Sequence, residues 1–99
     1  MAKRSRGSRY DRPDPTRVMW ALRRDWKDWK DGGKRGPYGL TVTEVAARAK
    51  LSEVKTGRIL EGLFFHNQAT DYQSETDTRT GRWRLTHEGH EAYKARPRS

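Results

Sequence analysis

The sequence predicts a small, mainly helical α+β domain, with a three-helix core, a two-stranded hairpin and a short C-terminal helix. Three observations predict it. Apolar residues recur at steps of three and four between Asp14 and Trp29, two well-capped helices follow across a short turn at Leu51-Ser52, and polar and apolar residues alternate over residues 82–86.

The first helix starts at Asp14-Pro15, where Asp can cap free amides and Pro, lacking an amide proton, suits the first turn. Val18, Met19, Leu22, Trp26 and Trp29 form its apolar stripe, and Gly32-Gly33 ends it. Trp20 lies off that stripe and could serve a partner. Leu40-Thr41-Val42 reads as a short strand running into a second helix over about residues 42–50. There Thr41 and Glu44 have the spacing of a reciprocal capping box. The small stripe Val45, Ala46 and Ala49 lets another helix approach closely. Ser52 caps a third helix from about Glu53 to His66, and Asn67 is suited to the left-handed residue that terminates it.

A helical wheel divides this third helix. Thr56, Ile59, Leu60, Leu63 and Phe64 gather on a core side, whereas Val54, Lys55, Arg58, Glu61 and Gly62 face outward. Residues 69–75 read as one hairpin strand, residues 76–81 as a turn, and residues 82–86 as the returning strand, in which Trp83 packs inward. Thr86 caps a last helix over HEGHEAYKA.

The chain carries 22 Lys and Arg against 13 Asp and Glu, a formal net charge of +9, and Arg outnumbers Lys about two to one. Such a field attracts polyanions, and the guanidinium fork suits phosphates and guanine edges. Residues 1–13 read as a disordered basic arm carrying Lys3, Arg4, Arg6, Arg9 and Arg12, suited to a phosphate backbone or a minor groove. Residues 96–99 form a basic tail. The folded domain is expected over 14–95.

Several chemistries are disfavoured. With no cysteine there is neither a disulfide framework nor a thiolate zinc site. His87 and His90 stand three apart beside Glu88 and Glu91, short of the four-residue spacing and third ligand of a helical metalloprotease site. No phosphate-cradling glycine loop or nucleophile elbow occurs, so no enzyme, cofactor or metal is expected. The sequence has no apolar run of membrane-spanning length and no apolar signal segment, so no membrane partner and a cytoplasmic location are expected.

The strings LTVTEVAARAKLSEVKTGRILEGL and GRWRLTHEGHEAY, in that order, resemble the winged helix-turn-helix superfamily over residues 14–95. The second string is similar to the wing strand and following helix of MarR-like and PadR-like regulators, where Leu-Thr-x-x-Gly closes the wing. Asp77 and Arg79 match the acidic residue and Arg of MarR-like wings. Asn67 departs from the glycine usual after the recognition helix. MarR-like proteins dimerise through longer terminal helices, so the resemblance leaves a homodimer open.

The resemblance implies a double-stranded DNA-binding protein, a transcriptional regulator or a DNA-associated accessory protein. Its third helix would read the major groove. The residues offered for that helix are Ser52, Val54, Lys55, Thr56 and Arg58, with Arg58 suited to guanine and Val54 to a thymine methyl, although the wheel turns Thr56 inward. At the wing the candidates are Arg79, Thr80 and Arg82 around Gly81, and in the arm Arg4, Arg6 and Arg9. Two other readings stand beside this one: a winged helix used for protein contacts through Trp20, Trp26 and Trp29, and an RNA-binding domain.

Overall fold

The computed structural model describes residues 13–34, 39–73 and 78–95. The element order is α1 (Asp14–Asp31), α2 (Val42–Ala49), α3 (Glu53–Phe65), β1 (Ala69–Gln73), β2 (Thr78–Leu85) and α4 (His87–Ala95). Arg4, Arg6 and Arg9 of the expected arm lie outside the described residues, as do Asp77 and the expected tail.

Val18, Met19, Ala21 and Leu22 of α1 meet Val45 and Ala49 of α2, Leu60 and Leu63 of α3, and Ala69, Trp83 and Leu85 of the hairpin in one core. The helix starts follow from side chains that satisfy otherwise orphaned amides. Thr41 Oγ1 accepts from the Glu44 amide while Glu44 Oε1 accepts from the Thr41 amide, which completes the expected capping box. Glu44 is held ionised below the usual carboxylate range, chiefly by that backbone hydrogen bond. Ser52 Oγ accepts from the Lys55 amide, and Thr86 Oγ1 from the Gly89 amide, so both expected caps form. Asn67 takes a φ of 59°, as expected of the residue that ends α3.

The start of α1 differs from expectation. Pro13 occupies the cap position and makes no side-chain cap, and Asp14 is the first helical residue. Its carboxylate is engaged by Arg17 and Lys55 instead. Trp20 also differs: it is half-buried and packs against the core, because α1 is covered by neighbours on more than one side.

The two strands are antiparallel, with Ala69 opposite Leu85, Thr70 opposite Arg84, Tyr72 opposite Arg79 and Gln73 opposite Thr78. Between the second and third of these pairs β1 moves on by two residues while β2 passes from Arg84 to Arg79. The excess chain is a bulge containing Gly81, whose φ of 78° is left-handed. Within it Trp83 leaves β1 and exchanges two backbone hydrogen bonds with Leu40, at 2.7 and 3.0 Å. Leu40 thus contributes a single bridge rather than a strand of its own.

The expected turn at residues 76–81 is thereby corrected. Thr78 to Gly81 belong to β2, and the glycine that suggested a hairpin turn serves a bulge instead.

Gly89 shows why a glycine follows Leu85-Thr86 at this spacing. A Cβ there would lie 1.9 Å from the backbone oxygen of Gln68, which already accepts from the Thr86 amide. Only a bare Cα lets α4 close against the chain entering β1.

Candidate nucleic-acid interface

α2 and α3 are joined through Lys50, Leu51 and Ser52. Lys50 takes a left-handed φ of 61°, and its neighbourhood is pinned from α1. The Arg17 guanidinium donates from Nε and Nη2 to the Ala49 carbonyl, at 2.9 and 2.6 Å, and from Nη2 to the Lys50 carbonyl at 2.9 Å. A cation at the end of α2 satisfies carbonyls that the helix itself leaves unbonded. The turn is therefore a fixed joint, and it sets the entry of α3.

From that joint α3 presents an outward face. Ser52, Val54, Lys55 and Arg58 are all exposed, with Val54 at 69%. Arg58 makes no hydrogen bond or ion pair among the described residues. Lys55 donates to Asp14 Oδ2 at 2.7 Å. Arg48, in the last turn of α2, and Lys50, within the joint, are both exposed and add basic charge at the same turn. Reading helix faces one at a time missed these two, since neither belongs to α3. Their place at the end of α2 and in the turn itself was the available signal.

Thr56 is not on this face, and its place among the candidate contacts is corrected. It is fully buried, turned inward beside Leu60, and its Oγ1 is the buried side-chain atom without a hydrogen-bond partner among the described residues.

The hairpin candidates divide as sharply. Arg79 was expected to lie near the tip, free for a groove. Instead its Nε donates to Asp71 Oδ1 at 2.8 Å and its Nη2 to Glu61 Oε2 at 3.1 Å. The guanidinium lies 4.7 Å from the Phe64 ring centroid, 5.4 Å from Trp83 and 5.8 Å from Tyr72. Asp71 is buried, so this arginine neutralises an otherwise costly interior charge while cation–π contacts hold its plane. The Asp71 hydrogen bond leads in raising the arginine's pKa above its ordinary value. Arg79 thus joins the hairpin to α3, with Nε committed to Asp71 and Nη2 to Glu61.

Thr80 turns its hydroxyl to the Asp71 carbonyl at 2.9 Å, and the same oxygen accepts from the Arg82 amide, so it braces the bulge. Arg82 is exposed, with one donor on the Gly39 carbonyl at 3.1 Å. Gly39 is in turn tied to α1 through its amide on Asp25 Oδ2. Of the three hairpin candidates, Arg82 keeps the most solvent-facing donors.

His90 engages Arg23 and Trp26 rather than His87. Arg23 Nη1 lies 3.1 Å from His90 Nδ1, and the Trp26 and His90 rings are 4.6 Å apart. Since arginine can only donate, Nδ1 accepts and His90 is neutral in this geometry. No group of three His, Asp or Glu among the described residues is placed to hold a metal ion. Nor is any helix among them long and apolar enough to cross a membrane.

No protein-family model and no curated protein matches this sequence. Solved structures do match. A mutant of MepR from S. aureus superposes with a TM-score of 0.61 over 87% of this chain at 20% identity. This chain spans 56% of the length of that one. A protein named as DNA-binding from Ralstonia eutropha JMP134 superposes with a TM-score of 0.59 at 28% identity, covering 84% of this chain and 93% of its own. With the helix order, the pinned turn and the bulged hairpin, these likenesses identify the fold as a winged helix-turn-helix resembling that of MarR-like regulators.

Proposed function

We propose that this chain binds double-stranded DNA as a transcriptional regulator or DNA-associated accessory protein, with α3 entering the major groove. The observation that carries this reading is the outward face of α3. It presents an arginine with no partner among the described residues, a lysine and an exposed valine, just after a capped helix start whose amides suit phosphate. A solvated face would equally be charged, but it would not need a joint fixed by three arginine hydrogen bonds. The name of the Ralstonia relative points the same way.

In this reading Arg58 reads a base edge, Val54 touches a thymine methyl, and Lys55 and Ser52 meet phosphate. Arg82 meets the backbone beside the hairpin. The pair between Lys55 and Asp14 sets the start of α1 beside the first turn of α3, so Arg4, Arg6 and Arg9 precede a point already at the interface. The arm is proposed to follow the same duplex.

The test is affinity for duplex DNA at two salt concentrations, with RNA duplex and single strands as competitors. Tight binding at low salt that weakens steeply with salt is expected, and duplex DNA should out-compete both RNA forms. Removing residues 1–12 should lower affinity and flatten the salt slope without changing thermal stability. Absence of duplex binding at low salt would overturn the reading.

A further inference from the structure

Asp14 is an acid set within a basic face, and its geometry is unusually well fixed. Oδ2 lies 2.7 Å from Lys55 Nζ, and Oδ1 lies 3.3 Å from Arg17 Nη1. Arg17 is itself immobilised by its hydrogen bonds to Ala49 and Lys50, and only 14% of its side chain is exposed. The carboxylate is thus held from behind by a half-buried, hydrogen-bonded guanidinium. In front it meets the ammonium of a lysine that is 58% exposed. It also sits in the first turn of an 18-residue helix, where the dipole favours a negative charge. Its carboxyl is held below the usual carboxylate range, first of all by the hydrogen bond from Lys55.

Chemically, the Lys55 ammonium sees what a backbone phosphate would offer: an anionic oxygen at charge-assisted hydrogen-bond distance. We infer that Asp14 is an internal phosphate surrogate that occupies Lys55 in the free protein and is displaced when α3 seats on a duplex. This rests on the DNA-binding reading above. On this inference, seating on any duplex breaks the pair and leaves the Asp14 carboxylate facing a polyanion beside Arg17. That penalty is the same for every sequence, whereas base contacts by Arg58 are not. Asp14 therefore depresses non-specific binding and leaves discrimination to the remainder of α3.

The experiment uses the full chain and a duplex of randomised sequence, with affinity followed across a salt series for wild type, Asp14→Asn, Lys55→Met and the double variant. Asp14→Asn should tighten binding by roughly 3- to 10-fold and steepen the salt dependence by about one counterion. In the Lys55→Met background the same substitution should change affinity less than about 2-fold. Thermal melts check folding, and Asp14→Ser, another small polar residue at the helix start, should repeat the result.

Equal gains in both backgrounds would reduce Asp14 to one more charge in the overall field and overturn the inference. So would a loss of affinity, which would make it a support for the joint. NMR titration of the Asp14 carboxyl gives an independent readout. Its pKa should rise on adding duplex, and an unchanged value would mean that the pair survives binding, against the inference. If neither wild type nor any variant binds duplex, the DNA reading fails and the inference with it. Binding without coupling between Asp14 and Lys55 removes the inference alone.

Discussion

Arg58, offered for a guanine, and Arg79, offered for the wing, were both candidate contacts, and the fold gives them opposite surroundings. Arg58 projects from the outer face of α3 with no hydrogen bond or ion pair among the described residues. Arg79 sits near the loop end of the hairpin, opposite Tyr72, between two carboxylates and against three aromatic rings. Availability, not residue type, separates an arginine that can meet a partner from one that builds the fold. A guanidinium already committed to a buried carboxylate would have to abandon it before meeting DNA, leaving a charge in the interior. One with no internal partner surrenders only water.

The largest expected effect breaks the building side of that contrast. Arg79→Ala strands the Asp71 carboxylate and removes the link from hairpin to α3, so it should lower stability by about 3 kcal/mol, the low end for breaking a buried pair. Arg79 is partly solvated, which keeps the cost from being greater. Denaturant unfolding measures it, and a change under about 0.5 kcal/mol, typical of surface substitutions, would make Arg79 an ordinary surface residue.

Arg58→Ala probes the reading side. Its cost should appear in binding, about 1–3 kcal/mol at the preferred site, with stability nearly unchanged. A large fall in melting temperature would mean that Arg58 too is structural.

Thr56→Val sharpens the boundary between the two faces of α3. The buried hydroxyl has no hydrogen-bond partner among the described residues, so replacing it by a methyl should leave stability unchanged or raise it by up to about 1 kcal/mol, with DNA affinity unaffected. Weakened binding at unchanged stability would return Thr56 to the interface.

The smallest effect is a pH dependence at the contact between α1 and α4. Burial, followed by the Arg23 charge and then by Lys94 and His87, lowers the His90 pKa, with Glu91 acting in opposition. The unfolded chain therefore binds the proton more readily. Stability should fall as pH drops from the ordinary histidine value toward the lowered folded one, and level off below it. In His90→Gln this component should vanish, and a wild-type curve that rises on acidification would contradict the assignment.

Local signals made most of the fold legible. The caps at Thr41, Ser52 and Thr86 and the stop at Asn67 each need only a few neighbouring residues, and each forms as read. The face of α3 was legible for the same reason, since helical spacing separates Leu60 and Leu63 from Val54 and Arg58. What escaped depends on residues distant in sequence. Gly81 looked like a turn because the pairing of Trp83 with Leu40, which creates the bulge, lies some forty positions away. Asp14 looked like a cap because Lys55 cannot be seen from the start of α1. Arg79 looked free because Glu61 and Asp71 belong to other elements.

The central claim is that Arg58 reads a base while Arg82 meets only backbone. Binding selections on randomised duplexes with wild type, Arg58→Ala and Arg82→Ala test it directly. Arg58→Ala is expected to lose the preference at one position, while Arg82→Ala keeps every preference and weakens binding to all sequences alike. Base preferences for Arg58→Ala that match the wild type would contradict it.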